Sequence, residues 1–267
     1  MNLLDADMIR EPLSDLSRAH LDHLEAFSEI DSTNKYLLGQ PPPRVGRYRV
    51  ALAEHQTAGR GRLDRSWFST PSTGLCISIS YTFASRPEEF ASLTLAIGAS
   101  VAEALDGLGI RGIGLKWPND IVIGDGKVGG ILTEVLPAKT DGVTVVVGIG
   151  LNVDFQGVGD MAGISSSLGR VTDLASCCDQ LPGRSEISTK LIESVFNAMA
   201  QFAAAGFAPF IGTWRRFDWL RGQRIRIELT DELVPGVAQG IDVDGTLILE
   251  TETGRRRIVS GSVLFGG

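Results

Sequence analysis

The chain has 267 residues, 43% of them hydrophobic and 21% charged, enough to bury a substantial core in one large domain or in one domain with a small appendage. Lys and Arg number 25 against 32 Asp and Glu, a net charge of −7, and no basic arm or face is visible that would attract nucleic acid. The acidic N-terminus argues against a signal or transit peptide, no apolar run approaches the roughly 20 residues that span a bilayer, and three cysteines (Cys76, Cys177, Cys178) fit no disulfide framework, so a reducing, cytoplasmic setting is expected.

Residues 1–31 carry eight acids against Arg10 and Arg18, a balance of −6 that leaves the rest of the chain at −1. His20 and His23 are spaced to share a helix face, but no third ligand lies nearby and no zinc site is expected. A short helix begins near Ser32 and gives way to the loop Pro41-Pro42-Pro43. Arg49–Glu54 and Gly74–Phe83 alternate and are rich in β-branched residues, so they read as strands. Ala91–Leu108 is apolar almost all round and predicts a buried helix. Strands are expected at Gly114–Trp117, Ile121–Ile123, Ile131–Leu136 and Val143–Gly148, then helices over Glu186–Phe207 and Pro209–Phe217. From about Leu220 the texture changes to short β-like segments split by Pro235-Gly236, Asp244-Gly245 and Thr253-Gly254, the signature of a small hairpin module packed on its neighbour.

Two G-x-G-x-x-G matches mislead. Gly107, Gly109 and Gly112 follow a helix, and Gly124, Gly126 and Gly129 lead into a strand, so neither opens a phosphate-facing helix. No P-loop or nucleophile elbow is present. Four other stretches can carry chemistry. Gly59–Trp67 (GRGRLDRSW) sets Arg60, Arg62 and Arg65 among two glycines that permit unusual backbone angles, beside a tryptophan able to stack on a heterocycle; it is either a solvated loop or an anion site. Lys116–Asp120 (KWPND) is a strand edge with a turn. Gly126–Leu132 (GKVGGIL) places a lone lysine among small residues, as a hairpin with an exposed lysine or as a charge approached by ligand. Gly148–Val153 (GIGLNV) ends an apolar strand, with two glycines leaving room above the sheet and Asn152 able either to cap the strand or to read a base.

In this order, and preceded by Asp31-Ser32-Thr33-Asn34, these motifs resemble the catalytic signature of the biotin protein ligases across residues 28–155, and the hairpin-rich tail is similar to that family's C-terminal SH3-like module. The resemblance implies an α/β (α+β) catalytic domain related to class II aminoacyl-tRNA synthetases, a mixed sheet with packed helices over residues 1–219, and an SH3-like β-barrel over 220–267. It implies activation of biotin by Mg-ATP to biotinyl-5′-AMP, then transfer to a lysine of a biotin carboxyl carrier protein. Lys127 and Arg62 are the catalytic residues so implied. Ser32, Thr33, Asn34, Gln56, Gly59, Arg60, Gly61, Arg62, Lys127 and Gly130 would bind biotin; Arg62, Arg65, Trp67, Asn119, Lys127 and Asn152 would bind ATP or the adenylate; Asp120 would assist Mg²⁺. The repressor-type members carry an N-terminal winged helix, whereas only some thirty acidic residues precede Ser32 here, so no DNA binding is expected. The family's habit of extending its sheets leaves a homodimer open.

Overall fold

The computed structural model describes residues 3–136, 142–156, 170–178 and 180–265. Two short helices, α1 (Ala6–Arg10) and α2 (Asp15–His20), lead into β1 (Leu21–Ile30). His20 therefore ends a helix and His23 lies on a strand, so the two share no helix face. The segment has three acids and a half-exposed pattern, a poor strand by propensity; it is held by parallel pairing with β2 (Tyr48–Gln56). Between them lies α3 (Thr33–Leu38), whose N-cap Ser32 accepts from the Lys35 amide.

The chain continues through β3 (Gly74–Phe83), α4 (Leu93–Gly107), β4 (Ile113–Lys116), β5 (Asp120–Ile123), β6 (Gly126–Leu136) and β7 (Val143–Asn152). These strands form one mixed sheet in the order β1-β2-β3-β7-β6-β5-β4. α5 (Arg184–Ala205) and α6 (Ile211–Phe217) pack with α4 against one face, while α3 covers β2, β3 and β7 on the other through Leu37, Ala51 and Val146. The window Phe90–Gly107 is long and apolar enough to cross a membrane, yet 61% of it is buried inside the protein, where α4 forms the middle of the core. β6 and β7 run longer than their apolar cores suggest: β6 takes in the whole of GKVGG and β7 the whole of GIGLN, because antiparallel neighbours pair with the glycines.

Residues beyond α6 form a five-stranded antiparallel sheet, ordered β11-β10-β9-β8-β12, from β8 (Arg224–Glu228), β9 (Leu233–Ile241), β10 (Leu247–Thr251), β11 (Gly254–Ile258) and β12 (Ser262–Leu264). Its Asp244-Gly245 turn uses a positive φ of 83° at Gly245, and the Gly245 carbonyl accepts the buried Trp117 indole N–H at 3.2 Å. Together with the Trp219 amide on the Leu115 carbonyl, this fixes the small sheet beside the KWPND turn, and one hydrophobic cluster runs unbroken from α4 and α5 into β8–β12.

Candidate functional site

A cleft of about 800 Å³ opens over β3, β6 and β7. Ser32, Thr33, Asn34 and Gln56 line one end; Arg60 to Trp67 and Lys116 to Asp120 line its sides; Lys127, Gly130 and Asn152 lie in its floor; and Ser262 to Phe265 of the small sheet reach its rim. Every residue assigned to biotin, ATP or Mg²⁺ from the sequence lines this one cleft except Gly59. Gly59–Trp67, the neighbouring pair KWPND and GKVGGIL, and GIGLNV are separate in the chain, and the strand order β3-β7-β6-β5 brings them together.

The polar end is a hydrogen-bond chain with a definite proton count. Gln56 Oε1 accepts the Thr33 N–H at 2.8 Å, which fixes the orientation of its amide. It also lies 3.0 Å from Thr33 Oγ1, Thr33 Oγ1 lies 2.7 Å from Ser78 Oγ, and Ser78 Oγ lies 2.6 Å from Asn34 Oδ1. Both terminal atoms are amide oxygens, so three contacts share two hydroxyl protons. Thr33 donates to Gln56 and Ser78 to Asn34. With both protons committed, the Thr33 and Ser78 hydroxyls of this wall can only accept from a ligand. Ser78, fully buried on β3, is a member that sequence reasoning missed.

The opposite half is cationic. Lys127 Nζ pairs with Asp120 at 2.6 Å and stands 5.8 Å above the Trp67 ring. Its backbone is pinned on both sides: its N–H donates to the Arg170 carbonyl, and its carbonyl accepts from Thr172. Asn152, expected to read a base, gives its Nδ2 to the carbonyls of Lys127 and Thr172, so only its Oδ1 is left for a ligand. Arg62 Nη1 donates to Asn119 at 3.0 Å, and Asn119 in turn pairs with Ile131 through both its side chain and its carbonyl. Burial lowers the pKa of Arg62, Asp120 opposing and Arg65 assisting. Burial likewise lowers that of Lys116; Asp120 opposes this, while Lys127 and Arg65 add to it. These cations are thus desolvated together around one carboxylate, an environment that favours an incoming anion. Cys76 also lines the cleft, but burial pushes its thiol up to about 11, so it stays protonated and is no nucleophile. Among the described residues no group of three or more His, Cys, Asp or Glu could hold a metal ion.

The Gly59–Trp67 stretch is a small hairpin. Trp67 N–H donates to the Gly59 carbonyl and Gly61 N–H to the Arg65 carbonyl, around a turn at Arg62–Asp64. Its glycines do not serve unusual backbone angles as the sequence suggests: Gly61 is extended, and the left-handed residue is Leu63, at φ 54°. They are needed for close approach, since a Cβ on Gly59 would meet Trp67 and one on Gly61 would lie 3.3 Å from the Arg65 carbonyl. The room above Gly148 and Gly150 is likewise filled by protein, by the Asn34 amide and the Trp67 indole respectively. Arg60, expected beside biotin, pairs its Nη2 with Glu134 at 2.8 Å.

Residues 26–152 match the Biotin/lipoate A/B protein ligase family, and residues 221–266 match the Biotin protein ligase C terminal domain. The biotin–[acetyl-CoA-carboxylase] ligase of Mycobacterium tuberculosis is 32% identical over 272 residues, covering 97% of each chain. The chain belongs to the biotin protein ligase family. Two other relatives are the biotin–[acetyl-CoA-carboxylase] ligase of Paracoccus denitrificans, 30% identical over 90% of this chain and all of that one, and the bifunctional ligase/repressor BirA of Salmonella typhimurium, 31% identical over 94% of this chain and 75% of its own. Among solved structures, the biotin protein ligase from Aquifex aeolicus in complex with biotin and ATP shares the fold at a TM-score of 0.75 and 29% identity, over 91% of this chain and 97% of that one. In this biotin protein ligase, Ser78, Cys76, Trp219 and Phe265 are among the cleft residues without a sequence signal. Cys76 and Ser78 sit in an apolar alternation that hides them, Trp219 is brought in by its amide bond to the Leu115 carbonyl, and Phe265 follows the last strand of the small sheet.

Proposed function

We propose that this biotin protein ligase joins biotin to ATP, forming biotinyl-5′-AMP and pyrophosphate, and then passes the biotinyl group to a lysine of a biotin carboxyl carrier domain. The observation that carries the reading is the meeting, in one cleft, of acceptor hydroxyls at Thr33 and Ser78 with a set of desolvated cations. A ureido ring offers two N–H donors, which suits those hydroxyls; a lipoyl dithiolane offers none, which favours biotin over lipoate. Ser32, Thr33, Asn34 and Gln56 then hold the ring, and Gly130 leaves space beside Lys127, whose Nζ lies 3.4 Å from where a Cβ would stand.

Adenylation brings two anions together. A carboxylate oxygen attacks the α-phosphorus, the new O–P bond forming as the bond to pyrophosphate breaks. Lys127 is placed to span both oxygens, exchanging its bond to Asp120 for one to the reactants, while Arg62 offsets the charge that develops on phosphorus. Arg65 and Lys116 extend the positive field along the leaving phosphates. Asn119 positions Arg62, and Asn152 Oδ1 is an acceptor suited to an adenine amino group. Mg²⁺ enters as part of the Mg-ATP substrate, with Asp120 the carboxylate assigned to it. In the second step the acceptor amine attacks the acyl carbon, AMP leaves, and the amine proton passes to solvent. The hairpin bearing Trp67 shields the anhydride from water between the steps.

Residues 1–219 are assigned to catalysis and 220–267 to the SH3-like module, the last two lying outside the described residues. The net charge of −7 supports action without DNA, the lack of a disulfide among the described cysteines supports a cytoplasmic setting, and the open edge strand β1 supports a homodimer. The deciding experiment incubates the protein with biotin, Mg-ATP and a carrier domain and measures pyrophosphate and biotin transfer. Lys127→Ala and Arg62→Ala should each lower the adenylation rate about 100- to 1000-fold with unchanged melting. Wild-type rates in both would overturn the assignment.

A further inference from the structure

Glu134, on β6, does not line the cleft, yet a single oxygen, Oε2, accepts from Asn34 Nδ2 at 2.7 Å and from Arg60 Nη2 at 2.8 Å. It joins α3, β6 and the Gly59–Trp67 hairpin, elements separated by 74 and 100 residues from it in the chain. Its side chain is only 23% exposed, a depth at which a charged pair is screened less than on open surface.

Two consequences follow from its chemistry. A carboxylate only accepts, so it draws Nδ2 of Asn34 toward itself and turns Oδ1 toward Ser78, which must then spend its proton there. The acceptor character of the Thr33 and Ser78 hydroxyls is thus imposed through Asn34, by a carboxylate outside the cleft lining. The same oxygen holds Arg60, and with it the hairpin, in the register that lets Arg62 reach Asn119 at 3.0 Å.

We infer that Glu134 is a positioning residue for the ligase reaction, setting the hydrogen-bond polarity of the wall and latching the hairpin across the cleft. The inference rests on the reading of the cleft as a biotin and ATP site. It separates the substrates: biotin meets the wall whose polarity Glu134 sets, whereas ATP meets Arg62, Arg65, Lys116 and Lys127, which Glu134 reaches only through Arg60 and the hairpin.

The test uses the full chain as wild type, Glu134→Ala, Glu134→Gln, Arg60→Ala and the Glu134→Ala/Arg60→Ala double variant. Pyrophosphate release is measured with biotin and ATP varied separately, and amide exchange at Gly61 and Trp67 is measured without ligand. Glu134→Ala should raise the KM for biotin about tenfold to a hundredfold, the range expected for lost charge-assisted hydrogen bonds, with a several-fold smaller rise in the KM for ATP, which feels the loss only through the loosened hairpin. The Gly61 and Trp67 amides should exchange faster, and adding Arg60→Ala should speed them no further. Glu134→Gln keeps an acceptor but lets Asn34 turn either way, so its biotin KM should fall between the two; it carries the test if the alanine variant does not fold. An unchanged biotin KM, or equal rises in both KM values, overturns the inference. A wild-type chain that releases no pyrophosphate from biotin and Mg-ATP overturns the underlying reading instead, while the amide exchange still decides the latch.

Discussion

Gly150→Ala isolates the contact between the hairpin and the floor of the cleft. A Cβ at this position would come within 2.5 Å of the Trp67 Cζ2 and 2.8 Å of Nε1, where ordinary contact begins near 3.4 Å. The β7 backbone cannot yield, because it is paired with β3 on one side and β6 on the other. The indole must therefore retreat by about 1 Å. Trp67 is tied through its N–H to Gly59, so the displacement passes into the hairpin that carries Arg62. A misplacement of about 1 Å costs on the order of 100-fold in rate, or roughly 2.7 kcal/mol of transition-state stabilisation. Pyrophosphate release at saturating biotin and Mg-ATP should show that loss, Trp67 fluorescence should change, and melting should stay near wild type. Gly148→Ala provides the contrast, since its Cβ meets the Asn34 amide and should raise the biotin KM instead. A Gly150→Ala protein with wild-type kcat/KM and altered fluorescence would show that the indole position does not govern the chemistry.

Arg184 and Glu54 form a buried bidentate pair at 2.6 and 3.1 Å, their side chains 8% and 3% exposed. Arg184→Met leaves a buried carboxylate without its cation and should cost about 3–5 kcal/mol in urea unfolding, whereas Glu54→Leu/Arg184→Met should recover most of the loss; equal losses in single and double variants would refute the coupling. Lys116→Met removes a desolvated charge. Because the folded pKa of Lys116 lies below its ordinary 10.5, the folded state binds that proton less tightly, and stability rises as pH climbs from the folded value toward 10.5. The variant should melt higher at neutral pH, lose that alkaline rise and adenylate more slowly. Cys76 should resist thiol reagents at pH 8 in the native protein, its thiol standing near 11; rapid labelling there, read by peptide mass, would contradict its burial.

The parts of the site that were legible in the sequence are those whose chemistry is local. Arginines among glycines, a lysine between small residues and an asparagine at a strand end each announce a special position, and they do converge on one cleft. What stayed hidden depends on partners distant in the chain. β1 reads as neither strand nor helix, because three acids suppress its propensity and only pairing with β2 makes it extended. Ser78 looks like one more alternating residue of β3 until Asn34 and Thr33 arrive above it. Glu134 has the outward place of an exposed strand residue, and its role appears only when α3 and the hairpin meet over it. Gly148 and Gly150 read as room above the sheet, and protein side chains take that space; a glycine marks a close approach without naming what approaches.

The apolar cluster that passes without a break from α4 and α5 into β8–β12 has a calorimetric consequence. Melting the small sheet would expose Leu115, Trp117 and the start of α4 to water, so neither part can open alone without stripping the other of its buried surface. Heat should therefore unfold the chain in a single endotherm, with calorimetric and van't Hoff enthalpies in agreement. A small sheet grafted from a relative would bring a mismatched face to that seam, and its misfit should appear as two separated peaks.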